Sequence, residues 1–178
     1  MAKIINLLGG PGSGKSTTAA GLFYRLKLSD HKVELVTEYA KDLTYEKRFM
    51  TLENQIYVFA KQLHRIERVK DQVDYVITDS PIILSCIYAK KDLPESFEKL
   101  VLDMWHRDDN EIFYVNRVKK YQEYGRSQTY DQAVQIDGLT KLFLTKHDLQ
   151  FNVVDGTPEA PIEIMKRLGL YRERFYRD

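Results

Sequence analysis

The sequence predicts an α/β protein in which a parallel sheet of five strands lies between layers of helices. Short apolar runs rich in β-branched residues recur along the chain, and stretches with helical spacing of apolar residues separate them. The first run leads directly into a glycine-rich segment, as expected where a strand turns into a helix. The strands are expected at 4–8, 33–37, 74–78, 111–115 and 151–154.

The helices follow from apolar residues that repeat every three or four positions. Leu52, Ile56, Phe59, Leu63 and Ile66 step by four and three, which predicts one long helix with a single buried face. The first helix should follow the glycine-rich segment directly, and Pro94 is well placed to open another. Together with the long helix, the expected helices are 15–28, 82–89, one opening at 94, 130–147 and one after 158.

Composition narrows the class of protein. The chain has 178 residues, of which 43% are hydrophobic and 30% charged, and we expect a single domain spanning 1–178. A net charge of +1 gives no bulk attraction to nucleic acid, although a local basic patch is compatible with it. Cys86 is the only cysteine, which excludes an internal disulfide and a cysteine-rich metal site. No apolar stretch approaches the ~20 residues that span a bilayer, so we expect a cytoplasmic protein without a membrane partner.

The segment Gly9–Thr17 matches the phosphate-binding P-loop pattern G-x-x-x-x-G-K-[ST]. Glycines allow the backbone to turn tightly, so that successive N–H groups point at a triphosphate, and the helix that begins there adds the positive end of its dipole. Lys15 is expected to reach the β- and γ-phosphates. The pattern predicts ATP bound with Mg²⁺, contacted by Gly10, Gly12, Ser13, Gly14, Lys15, Ser16 and Thr17.

Asp79 ends the third apolar run, where a carboxylate can hold Mg²⁺ opposite the Ser16 hydroxyl. We therefore expect Ser16 and Asp79 to be the metal-binding residues. The alternative for Asp79 is a helix N-cap, since Ser80 and Pro81 follow it. Residue 80 is serine, whereas ATPase machines place a water-activating glutamate beside this aspartate, and that difference favours transfer to an acceptor over hydrolysis.

Glu38 follows the second strand and is a candidate general base. A carboxylate there could take the proton from an acceptor hydroxyl as its oxygen attacks the γ-phosphate. The alternatives are a solvated surface glutamate or an ion pair with Lys41. The sequence leaves these open.

A basic segment follows the fourth strand and is expected to be a mobile lid at about 117–129. Arginine holds phosphate oxygens through two parallel donors, so Arg117 and Arg126 are the expected catalytic residues of this lid. A solvated basic loop is the alternative. The cluster consists of Arg117, Lys119, Lys120 and Arg126.

With these residues in place, the chain resembles the nucleoside and nucleotide kinase branch of P-loop proteins. The segments GGPGSGKSTTAAGL, VELVTEYAKDL, DYVITDSP and NRVKKYQEYGRSQT together look like small P-loop kinases of tailed bacteriophages. Nicotinamide riboside kinases, deoxynucleoside kinases and phage kinases acting on 5-hydroxymethyluracil in DNA are similar. Ser80 departs from deoxynucleoside kinases, which carry an arginine just after this strand, and this argues against a deoxynucleoside acceptor.

The resemblance implies a three-layer P-loop kinase fold with strand order 2-3-1-4-5, Mg-ATP, a lid arginine and Glu38 as the base. It implies transfer of the γ-phosphate to a hydroxyl or phosphate of a nucleoside, a nucleotide or a modified pyrimidine base, including one carried in DNA. A phage protein would work in the host cytoplasm, and kinases of this size are often homodimers. A nucleotide-dependent switch or ATPase module acting through a protein partner is the alternative function.

Overall fold

Five parallel strands form the centre of the molecule, in the order β2-β3-β1-β4-β5. The computed structural model describes residues 1–89, 93–122 and 128–171. The expected sheet and its strand order are confirmed. The strands are β1 (Lys3–Leu8), β2 (Val33–Val36), β3 (Tyr75–Thr78), β4 (Asp109–Asn116) and β5 (Asn152–Asp155).

Helices cover both faces of the sheet. On one face, α1 (Lys15–Leu28) and α8 (Ala160–Arg167) pack on alternate residues of the strands, with Leu22, Leu26 and Ile164 fully buried. The other face carries α4 (Gln55–Lys70), α5 (Leu84–Ile87), α6 (Glu95–Trp105) and α7 (Tyr130–Lys146). Within the described ranges, no helix combines the length and the apolar character needed to cross a membrane.

The segment between β2 and β3 differs from the expected single long helix. The chain forms α2 (Tyr39–Tyr45) and α3 (Phe49–Glu53) before α4. Asn54 separates α3 from α4, because its side-chain oxygen accepts a hydrogen bond from the Tyr57 N–H and caps the new helix. Ile56, which the periodicity assigned to a buried face, is 50% exposed. The apolar spacing continued across a helix boundary by coincidence.

The strand register brings the chemically interesting residues to one edge. Because every strand runs in the same direction, the carboxyl ends of β1, β2, β3 and β4 lie side by side. The P-loop follows β1, Glu38 follows β2, Asp79 follows β3 directly and Arg117 follows β4 directly. The fold therefore gathers at one edge the residues that the sequence singled out separately.

Candidate functional site

A cavity of about 480 Å³ opens at this edge of the sheet. Its lining combines the P-loop, the residues that follow β2 and β3, parts of α2 to α5 and two glutamines from the chain after β4. The charged side chains in the described lining are Lys15, Glu38, Lys41, Glu53 and Asp79. Cations and carboxylates therefore face each other across a space large enough for a ligand of nucleoside size.

The P-loop backbone leads the chain from β1 into α1 through three glycines with positive φ: Gly9, Gly12 and Gly14. Gly12 has φ 76° and Gly14 has φ 104°, and Gly14 is the N-cap of α1. Residues with side chains rarely adopt these angles, so glycine is required at both positions. The first hydrogen bond of α1 runs from the Thr18 N–H to the Gly14 carbonyl. The amides of Lys15, Ser16 and Thr17 thus precede the helical ladder at the cavity wall, where an anion would be bound.

The Lys15 side chain folds back over the P-loop, where Nζ donates to the Gly9 carbonyl at 2.7 Å and the Gly10 carbonyl at 3.1 Å. Burial lowers the pKa of the Lys15 ammonium, while the carboxylates of Glu38 and Asp79 oppose the shift. These effects show that the lysine shares one poorly solvated space with both carboxylates. A phosphate entering the cavity would find the ammonium at its edge.

Glu38 occupies the N-cap position of α2, with φ −66° and ψ 119°, but its side chain makes no capping hydrogen bond. The side chain lines the cavity, which excludes the alternative of a purely surface-exposed glutamate. Burial raises the pKa of the Glu38 carboxyl, Lys15 opposes the rise and Asp79 adds to it. A carboxyl with a raised pKa is well suited to accept a proton near neutral pH.

Asp79 lies at the cavity wall with 5% of its surface exposed. Its Oδ1 atom is buried and has no hydrogen-bond partner among the described residues, as is also true of Ser13 Oγ in the P-loop. The nearest following helix, α5, begins at Leu84, so Asp79 is not its N-cap and that alternative is excluded.

The Asp79 Oδ1 atom has no partner among the described residues and Ser16 belongs to the same cavity lining, and oxygen ligands of this kind fit a hard cation such as Mg²⁺. In the parts of the chain that the structure describes, no three His, Cys, Asp or Glu side chains cluster to form a metal cage. Magnesium commonly needs only one or two protein ligands beside water and phosphate oxygens. Ser16 and Asp79 are therefore the residues that would hold it.

Arg117 packs against the P-loop. Its Nε and Nη2 atoms donate to the Pro11 carbonyl at 3.3 and 3.0 Å, and Nη2 lies 2.7 Å from Asp137 Oδ2. The other expected lid arginine, Arg126, lies outside the described residues, and so does part of the expected lid at 117–129. Lys119 and Lys120 are exposed. Among the described residues of this segment, Gln122 and Gln128 line the cavity.

Sequence reasoning missed Asp137 on α7. Its Oδ1 atom accepts a hydrogen bond from the Gly10 N–H at 2.5 Å and another from the Tyr114 hydroxyl at 2.8 Å. A signal was present in the helical spacing, since residues 133, 137, 140 and 144 share one face of α7 and the other three are buried. A single carboxylate on an otherwise buried face indicates a specific partner.

The half of the cavity farthest from the P-loop is lined by helices α2 to α5. Its described side chains are mostly amides, hydroxyls and apolar groups, including Thr44, Tyr45, Val58, Leu84 and Ser85. Such a lining is compatible with a ligand that has both polar and apolar parts.

The glutamine amides in this half of the cavity are engaged with the backbone. Gln62 is 2% exposed, with its Oε1 accepting from the Tyr39 N–H at 3.0 Å and its Nε2 donating to the Thr37 carbonyl at 3.3 Å. The Nε2 atom of Gln55 donates to the Leu52 carbonyl at 2.8 Å. These bonds fix the wall of the cavity beside Glu38.

The fold and the site define a P-loop nucleotide-binding domain. A family model described as an AAA domain (AAA_28) matches residues 4–160. The chain belongs to this family. No curated protein matches the sequence significantly.

Solved structures with the same fold include NadR protein in complex with NR, with TM-score 0.70 and 16% identity over 99% of this chain and 54% of that chain. A deoxyadenosine kinase from M. mycoides with bound dATP has TM-score 0.61 and 18% identity over 93% of this chain and 99% of that chain. NadR protein with NAD and AMP-PNP has TM-score 0.62 and 17% identity over 97% of this chain and 51% of that chain. The chain thus spans about half the length of the NadR chains, and identities this low establish the shared fold alone.

Proposed function

We propose that this protein transfers the γ-phosphate of Mg-ATP to a hydroxyl group of a nucleoside-like acceptor. The observation that carries the proposal is the position of Glu38, which faces the P-loop lysine and Asp79 from across one cavity. Beyond Glu38 the cavity continues between α2, α4 and α5. In this proposal the acceptor occupies the cavity beside the P-loop, with Glu38 in its lining as the potential base.

In this mechanism the P-loop amides and Lys15 bind the β- and γ-phosphates, and Ser16 with Asp79 would hold Mg²⁺, which neutralises phosphate charge when bound. The acceptor oxygen attacks the γ-phosphorus, and the bond from that phosphorus to the β–γ bridging oxygen breaks. ADP leaves, and the proton of the acceptor hydroxyl passes to the Glu38 carboxylate. Ser80 beside Asp79 provides no carboxylate to activate water.

The charges of the cavity support a hydroxyl acceptor over a phosphate acceptor. Apart from the P-loop lysine, the described lining contains one cation, Lys41, against the carboxylates of Glu38, Glu53 and Asp79. A phosphate acceptor would add at least one negative charge beside three carboxylates and would call for bidentate arginines. A neutral alcohol avoids this repulsion.

The similar structures are consistent with such an acceptor. One is a deoxyadenosine kinase, and the NadR structures hold NR in one case and NAD with AMP-PNP in another. These ligands belong to those proteins. Their shared fold supports, for this chain, a nucleotide in the P-loop and a nucleoside-like molecule in the adjoining space.

The test is ATP-to-ADP conversion with a panel of nucleosides, nucleotides and DNA containing 5-hydroxymethyluracil. We expect ADP formation to rise with at least one hydroxyl acceptor and the acceptor to gain a phosphate, detected by mass spectrometry. Lys15→Ala should abolish turnover, whereas Glu38→Gln should lose turnover and still bind ATP. Glu53→Gln, which removes another carboxylate from the same cavity, is the matched control and should stay active.

Membership in the AAA domain family favours a second candidate, an ATPase module that acts through a protein partner. This candidate predicts ATP hydrolysis that no small acceptor stimulates and that a partner accelerates. An ADP rate that stays at the water-only level with every acceptor would overturn the phosphotransferase proposal for that panel. Loss of ATP binding in Glu38→Gln would contradict the assignment of Glu38 as the base.

A further inference from the structure

We infer that Asp137 and Arg117 are positioning residues that brace the start of the P-loop, and that Arg117 acts through this brace and does not contact the transferred phosphate. The P-loop brace consists of Gly10, Pro11, Tyr114, Arg117 and Asp137. The inference deepens the proposed function and rests on it, because the braced loop is the proposed nucleotide site. It assigns a role to the carboxylate on α7 that the mechanism above does not use.

Asp137 joins three elements through one carboxylate. Its Oδ1 atom accepts from the Gly10 N–H at 2.5 Å and from the Tyr114 hydroxyl at 2.8 Å, while Oδ2 lies 2.7 Å from Arg117 Nη2. The Tyr114 side chain belongs to β4 and is 2% exposed, so it fixes the carboxylate against the sheet. Charge-assisted hydrogen bonds in such a poorly solvated place are among the stronger polar contacts in proteins.

In this arrangement the Arg117 side chain contacts protein groups beside the P-loop. The Arg117 side chain is 9% exposed, its Nε and Nη2 donate to the Pro11 carbonyl, and the Nη2 atom also pairs with Asp137. The guanidinium carbon lies 5.9 Å from the Tyr121 ring centroid and 5.8 Å from that of Tyr130, within the range of cation–π attraction. Arg117 is absent from the described lining of the cavity. These contacts hold the guanidinium beside the P-loop.

Gly10 shows how closely α7 approaches the loop. A Cβ atom at this position would lie 2.6 Å from the Ala133 carbonyl oxygen, 2.7 Å from Asp137 Oδ1 and 2.9 Å from Arg117 Nη2. A backbone this close to a helix cannot shift without breaking the contacts around it. The brace therefore sets the position of the P-loop before any ligand enters.

A phosphate-binding loop is effective when its amides already point to where the phosphates will lie, because little reorganisation is then needed on binding. By fixing Gly10 and Pro11, the brace fixes the entry to Gly12–Lys15. Such an effect acts on the shared phosphates of ADP and ATP alike. A direct contact from Arg117 to the transferred phosphate would instead favour ATP alone.

The test compares Arg117→Ala, Asp137→Ala and the double variant in calorimetric binding of ADP and of AMP-PNP to the full chain. Each single variant should weaken both nucleotides by about tenfold, the effect of losing one charge-assisted hydrogen-bond network. The double variant should be no weaker than either single variant, because both remove the same brace. Asp131→Asn on the exposed first turn of α7 is the control and should bind like the wild type.

The variant Asp137→Asn distinguishes loss of the brace from a general loss of folding. Asp137→Asn keeps an acceptor for Gly10 and Tyr114 and should recover part of the affinity, at unchanged melting temperature. The inference is overturned if Arg117→Ala weakens AMP-PNP but not ADP while Asp137→Ala leaves both unchanged, or if the two effects simply add. A wild type that binds both nucleotides but phosphorylates no acceptor would instead refute the phosphotransferase proposal and leave the brace standing.

Discussion

Glu38 and Lys15 have charged forms of opposite sign and lie in a space with little water. Burial disfavours the charged form of each side chain. Burial raises the pKa of Glu38 and lowers that of Lys15, and the attraction between them only partly offsets both shifts. Each shift moves its group toward the neutral form, and shifted pKa values of this kind are typical of functional sites. The proposed base is therefore also a source of instability at neutral pH.

This instability gives a prediction about pH. Because the pKa of Glu38 is raised in the folded state, its contribution to stability is complete below the pKa of the unfolded chain and is lost as the pH rises through the folded pKa. Glu38→Gln cannot ionise. We expect its melting temperature to equal that of the wild type near pH 4 and to exceed it increasingly toward about pH 8.

The measurement is thermal unfolding across this pH series, with Glu53→Gln as the control, because Glu53 is an exposed carboxylate in the lining of the same cavity. A variant less stable than the wild type at high pH would mean that the ionised Glu38 stabilises the fold through Lys15. The rate of turnover should also depend on this group. We expect the rate to rise with pH as Glu38 ionises.

At the residue scale, the predictable positions were those set by the backbone. The P-loop pattern, Glu38 and Asp79 follow strand ends, and any parallel sheet brings strand ends to one edge. Asp137 was not predictable in the same way, because its partner Gly10 is 127 positions away along the chain. Nothing local to either residue reveals that they meet.

Among the elements, the turn between β5 and α8 and the P-loop are packed backbone to backbone. The Gly156 N–H donates to the Asn116 carbonyl at 2.9 Å, and a Cβ atom on Gly156 would lie 2.1 Å from the Ser13 carbonyl oxygen. No flexible side chain is available there to move aside. The P-loop is therefore confined by this turn as well as by α7.

We predict opposite outcomes for alanine at two glycines. Gly156→Ala should destabilise the protein by about 1–3 kcal/mol and weaken nucleotide binding, because the P-loop backbone must move. Gly138→Ala, in the exposed part of α7 where a Cβ meets nothing within 4 Å, should stabilise it by about 0.5–1 kcal/mol. Chemical denaturation of both variants measures the change in the free energy of unfolding. Equal changes in the two variants would contradict the packing described.

The helices between β2 and β3 show where element prediction failed. Apolar residues kept a spacing of three and four through Asn54, yet the structure ends α3 and begins α4 there. The Asn54 side-chain cap marks the break, and such a cap does not follow from periodicity. Helix α1, by contrast, was predicted to its last residue, because the P-loop fixes its start and its apolar face is continuous.

At the scale of the whole molecule, a buried ion pair lies at the edge of the sheet opposite the cavity. Lys70 Nζ lies 2.8 Å from Asp108 Oδ1, and their side chains are 7% and 4% exposed. Burial lowers the pKa of Lys70, but hydrogen bonds to Asp108 and Glu67 outweigh it and leave the pKa raised. The Lys70 carbonyl also accepts from the Ala2 N–H at 3.1 Å, which ties α4 to the start of β1.

Breaking this pair should lower stability without touching the proposed site. Asp108→Ala leaves the buried Lys70 ammonium with Glu67 as its remaining described partner and should cost about 1–3 kcal/mol of unfolding free energy. Asp109→Ala is the matched control, because its pair with Lys3 is exposed and should cost about 0–1 kcal/mol. In the folded protein, ADP affinity should match the wild type for both. A weaker affinity in Asp108→Ala would show that the two edges are coupled.

The P-loop brace also has a consequence for the order in which the protein acquires structure during synthesis. Residues 1–17 are synthesised before α7, yet β1 is flanked by β3 and β4, and Gly10 is anchored by a side chain on α7. A nascent chain that ends before residue 137 can form the glycine turn but lacks the carboxylate that holds it. Translation must therefore pass α7 before the loop has its native anchor.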